Sequence, residues 1–149
     1  MRIAVASDHA GYPLKEQVIA WLRADGHDAV DFGTHSVESV DYPDVIAPAA
    51  RAVAGGDCER GIVLGGSGTG EGIVANKIAG IRCVVASDPV TARLGREHND
   101  ANVLSMGARI VGTEVARACV VAFLDGVYEG GRHQRRVDKI SKLEVRSPS

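Results

Sequence analysis

An apolar run, Ile62-Val63-Leu64, breaks into Gly65-Gly66-Ser67-Gly68-Thr69-Gly70-Glu71-Gly72 and passes at once into a helix-like stretch, Ile73-Val74-Ala75-Asn76-Lys77. A strand, a glycine-rich turn and a helix in immediate succession leave few architectures open. Glycine permits positive φ and close approach of other groups. The turn therefore predicts backbone N–H groups directed at an anion, at the mouth of a sheet. Glu71 is the odd member, because a carboxylate repels an anionic ligand. Two readings stand for it: an acidic residue favoured by the dipole of the helix start, or a base whose pKa rises if it is buried.

The rest of the chain repeats the strand–helix alternation. Strands are predicted at Arg2–Ala6, Ala29–Phe32, Ile62–Leu64, Cys83–Ala86 and Val103–Ser105. Helices are predicted from Pro13 to the stop at Gly26, from Pro43 to Gly55, over Glu71–Ala79, from Pro89 to about Glu97, and over Val115–Leu124 with Thr113 as N-cap. Such alternation implies βαβ units and a parallel sheet covered on both faces. The expectation is one domain over 1–149: a three-layer α/β/α Rossmann-like fold with five parallel strands, their order open. From about residue 130 the chain becomes a basic helix or tail, which needs a surface to dock on.

Bulk properties narrow the function. A net charge of −2 gives no electrostatic case for nucleic acid. The chain holds no apolar run long enough to span a membrane, and its N-terminus reads as a first strand, not a secretory signal. The cysteines, Cys58, Cys83 and Cys119, are odd in number and widely spaced, which fits reduced thiols in the cytoplasm. The five histidines show no HxxxH or HExxH spacing, so no metal site is expected.

In open α/β sheets ligands bind at the carboxyl ends of the strands. That rule gathers Asp8-His9, Gly65–Glu71, Ser87-Asp88 and Gly107-Ala108-Arg109. The glycines alternate as GxGxGxG, so the loop is neither a dinucleotide fingerprint nor a Walker A loop. Asp8-His9 reads as a structural turn or as a ligand-facing pair. Glu97-His98-Asn99-Asp100 reads as a solvated helix end, or as a site where His98 moves protons and Asn99 donates to an oxyanion. Arg132 and Arg136, one helical turn apart beside His133, Arg135 and Lys139, read as a solvated basic tail or as a phosphate clamp.

Taken together, Ser7-Asp8-His9-Ala10-Gly11, Asp41-Tyr42-Pro43, Gly65 to Lys77, Gly80-Ile81-Arg82, Arg96 to Leu104, Gly107-Ala108-Arg109 and Tyr128 to His133 resemble the type B ribose-5-phosphate isomerases, a family that includes galactose-6-phosphate and allose-6-phosphate isomerases. The resemblance runs from Arg2 to about Ile140. It implies a cofactor-independent and metal-free aldose–ketose isomerase of phosphorylated sugars, most directly ribose 5-phosphate to ribulose 5-phosphate through an enediolate. A tetrose 4-phosphate or a hexose 6-phosphate is the alternative substrate, and a non-catalytic sugar-phosphate or nucleotide-binding module the remote one. By the same resemblance Asp8 and His9 contact substrate and His98 opens the sugar ring. Asn99 and the loop Gly66, Ser67, Gly68, Thr69 and Gly70 hold the enediolate, and Arg109, Arg132 and Arg136 bind phosphate. Many family members carry a cysteine base where this chain has Gly65. A second branch uses a glutamate at the position of Glu71, with Ser67 in place of a threonine, and this chain matches it. The family builds its site between two chains, which implies a homodimer; a tetramer stays open.

Overall fold

The computed structural model describes residues 1–144; the last five residues of the basic tail, 145–149, lie outside the described residues. The strands are β1 (Arg2–Ser7), β2 (Asp28–Asp31), β3 (Arg60–Gly65), β4 (Cys83–Val85) and β5 (Val103–Gly107). They form one all-parallel sheet in the order β2-β1-β3-β5-β4. Between them run α1 (Tyr12–Ala24), α2 (Tyr42–Ala54), α3 (Thr69–Asn76) and α4 (Pro89–Asn99); α5 (Thr113–Asp125) and α6 (Arg132–Ser141) follow β5. The expected α/β/α architecture and its five strands are therefore present.

Period-two alternation divides the core. In β1, Ile3 and Val5 face one side, where they pack with Val18 and Leu22 of α1 and Val120 and Phe123 of α5. Ala4 and Ala6 face the other, against Ile46, Ala49, Ala50 and Val53 of α2 and Ala75 of α3. The alanines let α2 approach β1 closely, while the bulkier face meets larger helix residues. Burying one such Leu or Phe contributes roughly 1.5–3 kcal/mol.

Helix starts follow local chemistry. Pro13, Pro43 and Pro89 sit in first turns, where the missing N–H costs nothing. Asp88 caps α4, its Oδ1 accepting from the Thr91 N–H at 2.7 Å. Gly112 and not Thr113 is the N-cap of α5, and no side chain caps it. The helix after the glycine loop begins two residues earlier than its apolar pattern predicts, because Gly68 at φ +79° turns the chain into it.

The connections β1–β2 and β2–β3 leave β1 in opposite directions, so the switch point lies between β1 and β3. Asp8 and the glycine loop emerge there at the carboxyl edge. The helices run back to the amino edge, where α4 and α5 end. β5, at five residues, separates the two edges by about 16 Å.

Candidate functional site

A cavity of 410 Å³ opens at the switch point, lined by Asp8, Tyr42, Gly66, Ser67, Gly70, Glu71, Arg109 and Ile110. Its floor is backbone. Arg109 N–H donates to Gly66 O at 3.0 Å and Ala108 N–H to Gly65 O at 2.7 Å, so the turn after β5 is laced to the loop after β3. The buried Ser105 hydroxyl donates to Gly68 O at 2.7 Å from below. Ser67 Oγ accepts from the Thr69 N–H at 3.2 Å, which shapes the turn.

Glu71 stands in the first turn of α3 and is 3 % exposed. Its carboxyl occupies the space in front of Gly65: a Cβ built on Gly65 would coincide with it. Burial pushes the Glu71 carboxyl above the ordinary glutamate range, its own backbone N–H opposes this, and the Asp8 carboxylate pushes in the same direction as burial. Asp8 is itself fixed, Oδ1 accepting from the Gly11 N–H at 2.9 Å. The cavity thus pairs a desolvated carboxylate with loop amides, a guanidinium and a second acid. That combination suits proton abstraction next to a developing oxyanion.

Tyr42 and Ile110 are members that sequence reasoning did not single out for a role. The Tyr42 ring lies against the bare Cα of Gly70, where a Cβ would stand 2.8 Å from the ring. The run Asp41-Tyr42-Pro43 was the available signal for it. Ile110 is 62 % exposed at the rim, and only its adjacency to Arg109 marks it. His9 lies beside the cavity without lining it. Its Nδ1 accepts from the Val40 N–H at 3.2 Å, which pins the loop after β2.

His98, Asn99, Arg132 and Arg136 do not join this cavity. They lie toward the amino edge, on the end of α4 and on α6, which packs against α4. There His98 and His133 stack, ring centroids 4.3 Å apart and planes 13° from parallel. Glu129 Oε1 stands 3.7 Å from His98 Nε2 and 3.4 Å from His133 Nε2. Asn99 lines a separate 760 Å³ groove with Val85, Ile140 and Leu143. Arg136 and Arg132 are both exposed, Arg136 Nη1 donating to Arg132 O at 3.1 Å. The three arginines expected around one phosphate are therefore divided within one chain: Arg109 at one edge, Arg132 and Arg136 at the other.

The same chain pattern occurs in known proteins. Escherichia coli ribose-5-phosphate isomerase B is 49 % identical over 145 residues, covering 97 % of both chains. The enzyme of that name from Mycolicibacterium paratuberculosis is 46 % identical, over 97 % of this chain and 92 % of its own. The solved ribose-5-phosphate isomerase B of Clostridium thermocellum superposes with a TM-score of 0.96 at 48 % identity, covering 97 % of each chain. The type B enzyme of Trypanosoma brucei gives 0.93 at 42 % identity, over 96 % of this chain and 98 % of that one. Residues 3–140 match the profile of the Ribose/Galactose Isomerase family, and this chain, with the sheet order, the glycine loop and the buried Glu71 described above, belongs to that family.

Proposed function

We propose that this protein interconverts ribose 5-phosphate and ribulose 5-phosphate, with Glu71 as the base. The observation that carries the reading is the buried Glu71 carboxyl, held against the Gly65 backbone with its pKa raised. A raised pKa makes the Glu71 carboxylate a stronger base toward a weakly acidic C–H proton. Glu71 takes the proton from C2 of the aldose and returns it to C1. The amides of Gly66 to Gly70 face the oxygen on which charge develops. The hydroxyl proton on O2 passes to O1 in the enediol, so two proton transfers balance the reaction and no redox cofactor is required.

A second copy of the chain completes the site. Ring opening by His98, oxyanion donation by Asn99 and phosphate binding by Arg132 and Arg136 belong to residues at the amino edge, about 16 Å of sheet away from Glu71. A two-fold dimer brings the amino edge of one chain to the carboxyl edge of the other, twice over. Arg109 then meets the phosphate from the Glu71 side. Cys58, Cys83 and Cys119 are free thiols, and the cytoplasm is the compartment that keeps them so. Among the described residues no helix is long and apolar enough to cross a membrane.

A coupled assay over four-, five- and six-carbon sugar phosphates tests the substrate: ribose 5-phosphate should give the highest kcat/KM, and preference for a hexose 6-phosphate overturns that choice. Glu71→Gln should lower kcat by about a thousandfold while leaving affinity for a phosphorylated inhibitor largely intact. Near-wild-type turnover in this variant removes Glu71 from the role.

A further inference from the structure

We propose that His98, Glu129 and His133 form a site for a divalent transition-metal ion of the zinc type, whose occupation arrests the isomerase by taking the imidazole of His98. The arrest rests on the proposed ring-opening role of His98; the ion site itself does not.

The donor atoms lie close enough together for one ion to gather them. One carboxylate oxygen lies 3.7 Å and 3.4 Å from the two imidazole Nε2 atoms, and the three donor atoms all lie within 4.8 Å of one another. Zinc bound at about 2.0–2.1 Å in a tetrahedron sets neighbouring donors about 3.4 Å apart. Two of the spacings stand near that value; to bring both Nε2 lone pairs onto one ion, the stacked rings, now 13° from parallel, must swing out of their stack. Two imidazoles and one carboxylate leave a fourth position for water. His133 is 12 % exposed along its side chain, His98 35 % and Glu129 51 %, so the donors are held yet reachable.

Three chain segments fix the cluster. His98 is on the last turn of α4 and His133 on the first turn of α6. The Glu129 N–H donates to Glu97 O at 2.9 Å, which ties the connecting loop to the residue before His98. The His133 N–H donates to Gly130 O at 2.9 Å. Two nitrogen donors favour zinc, copper or nickel over magnesium or calcium. Arg132 and Arg136 lower the affinity for any cation, whereas Arg93 is already paired with Glu97 at 2.7 Å.

The test uses full-length, tag-free protein stripped with a chelator. Calorimetric titration with zinc chloride should show one ion per chain, and cobalt(II) should give the visible bands of a four-coordinate site. Glu129→Gln and His133→Gln should each weaken zinc at least about tenfold. Zinc should lower wild-type turnover, and chelator should restore it. Glu129→Gln should keep its turnover in chelator and resist zinc. The proposal is overturned by the lack of stoichiometric binding, by binding undiminished in both variants, or by bound zinc that leaves turnover unchanged. Turnover in chelator, measured on the same samples, reports separately on the isomerase reading.

Discussion

The cavity at the carboxyl edge and the cluster at the amino edge are built by opposite means. The first is made of strand ends and loop backbone. Its acid is buried, its amides are fixed by hydrogen bonds between β3 and β5, and every group comes from one chain. The second is made of side chains on helix ends and a loop, all partly solvent-exposed. The first has what a proton transfer needs but few groups to anchor a distant phosphate. The second has cations and two histidines but no buried base. Preorganised charge and backbone dipoles serve the reacting atoms best, whereas long flexible cations serve remote binding. The division of labour follows from that physics, and under the proposed function each edge needs the other.

The sharpest way to break the comparison is at Gly65. A methyl group there falls on the Glu71 carboxyl, so Gly65→Ala must displace the base. We expect turnover to fall by at least about a hundredfold, with no thiol or charge introduced. Gly66→Ala is the control: the nearest atoms to its added carbon are those of Arg109 at 3.6 Å, ordinary contact distance. Its loss should be smaller than that of Gly65→Ala by at least about tenfold in steady-state kcat. Equal losses would mean that the loop is merely intolerant of side chains.

The next test joins the two edges. Glu71→Gln and Arg136→Ala are each expected to be poorly active, the second mainly through KM. Mixed after reversible dissociation, they should regain about a quarter of wild-type activity, since half the dimers are then mixed and each has one intact site. No recovery in a mixture shown by mass spectrometry to contain mixed dimers overturns the shared site.

The sequence was legible wherever local pattern determines structure. Apolar periodicity located all five strands, and the carboxyl-edge rule by itself collects Asp8, the glycine loop and Arg109. Glu71 stood out because its charge is wrong for an anion cradle. The boundaries of α3 were misplaced because a single left-handed Gly68 starts the helix inside the glycine run, where there is no apolar pattern to read. Strand order was illegible because it is decided by crossovers, not by any one segment. Histidine spacing excluded a metal motif, yet His98 meets Glu129 and His133 through the packing of α6 on α4. Local spacing cannot report a donor set drawn from two helices and a loop. Tyr42 was visible as part of a motif, but its place in the cavity depends on the missing side chain of Gly70.

The smallest expected effect concerns electrostatics within the first region alone. Asp8 is 8 % exposed, and its charge is a secondary cause, after burial, of the raised Glu71 pKa. A base acts deprotonated, so turnover rises with pH through the Glu71 pKa, and any raised pKa moves that acid limb upward. Asp8→Asn keeps the shape of the side chain and an oxygen for the Gly11 N–H, but removes the charge. The acid limb of kcat should therefore move to lower pH, while burial still holds it above that of an exposed glutamate. The plateau should stay within about tenfold of wild type, with KM rising if the carboxylate also holds a substrate hydroxyl. A full pH profile of kcat for both proteins decides it. An acid limb that stays in place would assign the shift to burial alone and leave Asp8 a positioning role through its bond to Gly11; an upward move would mean that Glu71 is not the group being titrated.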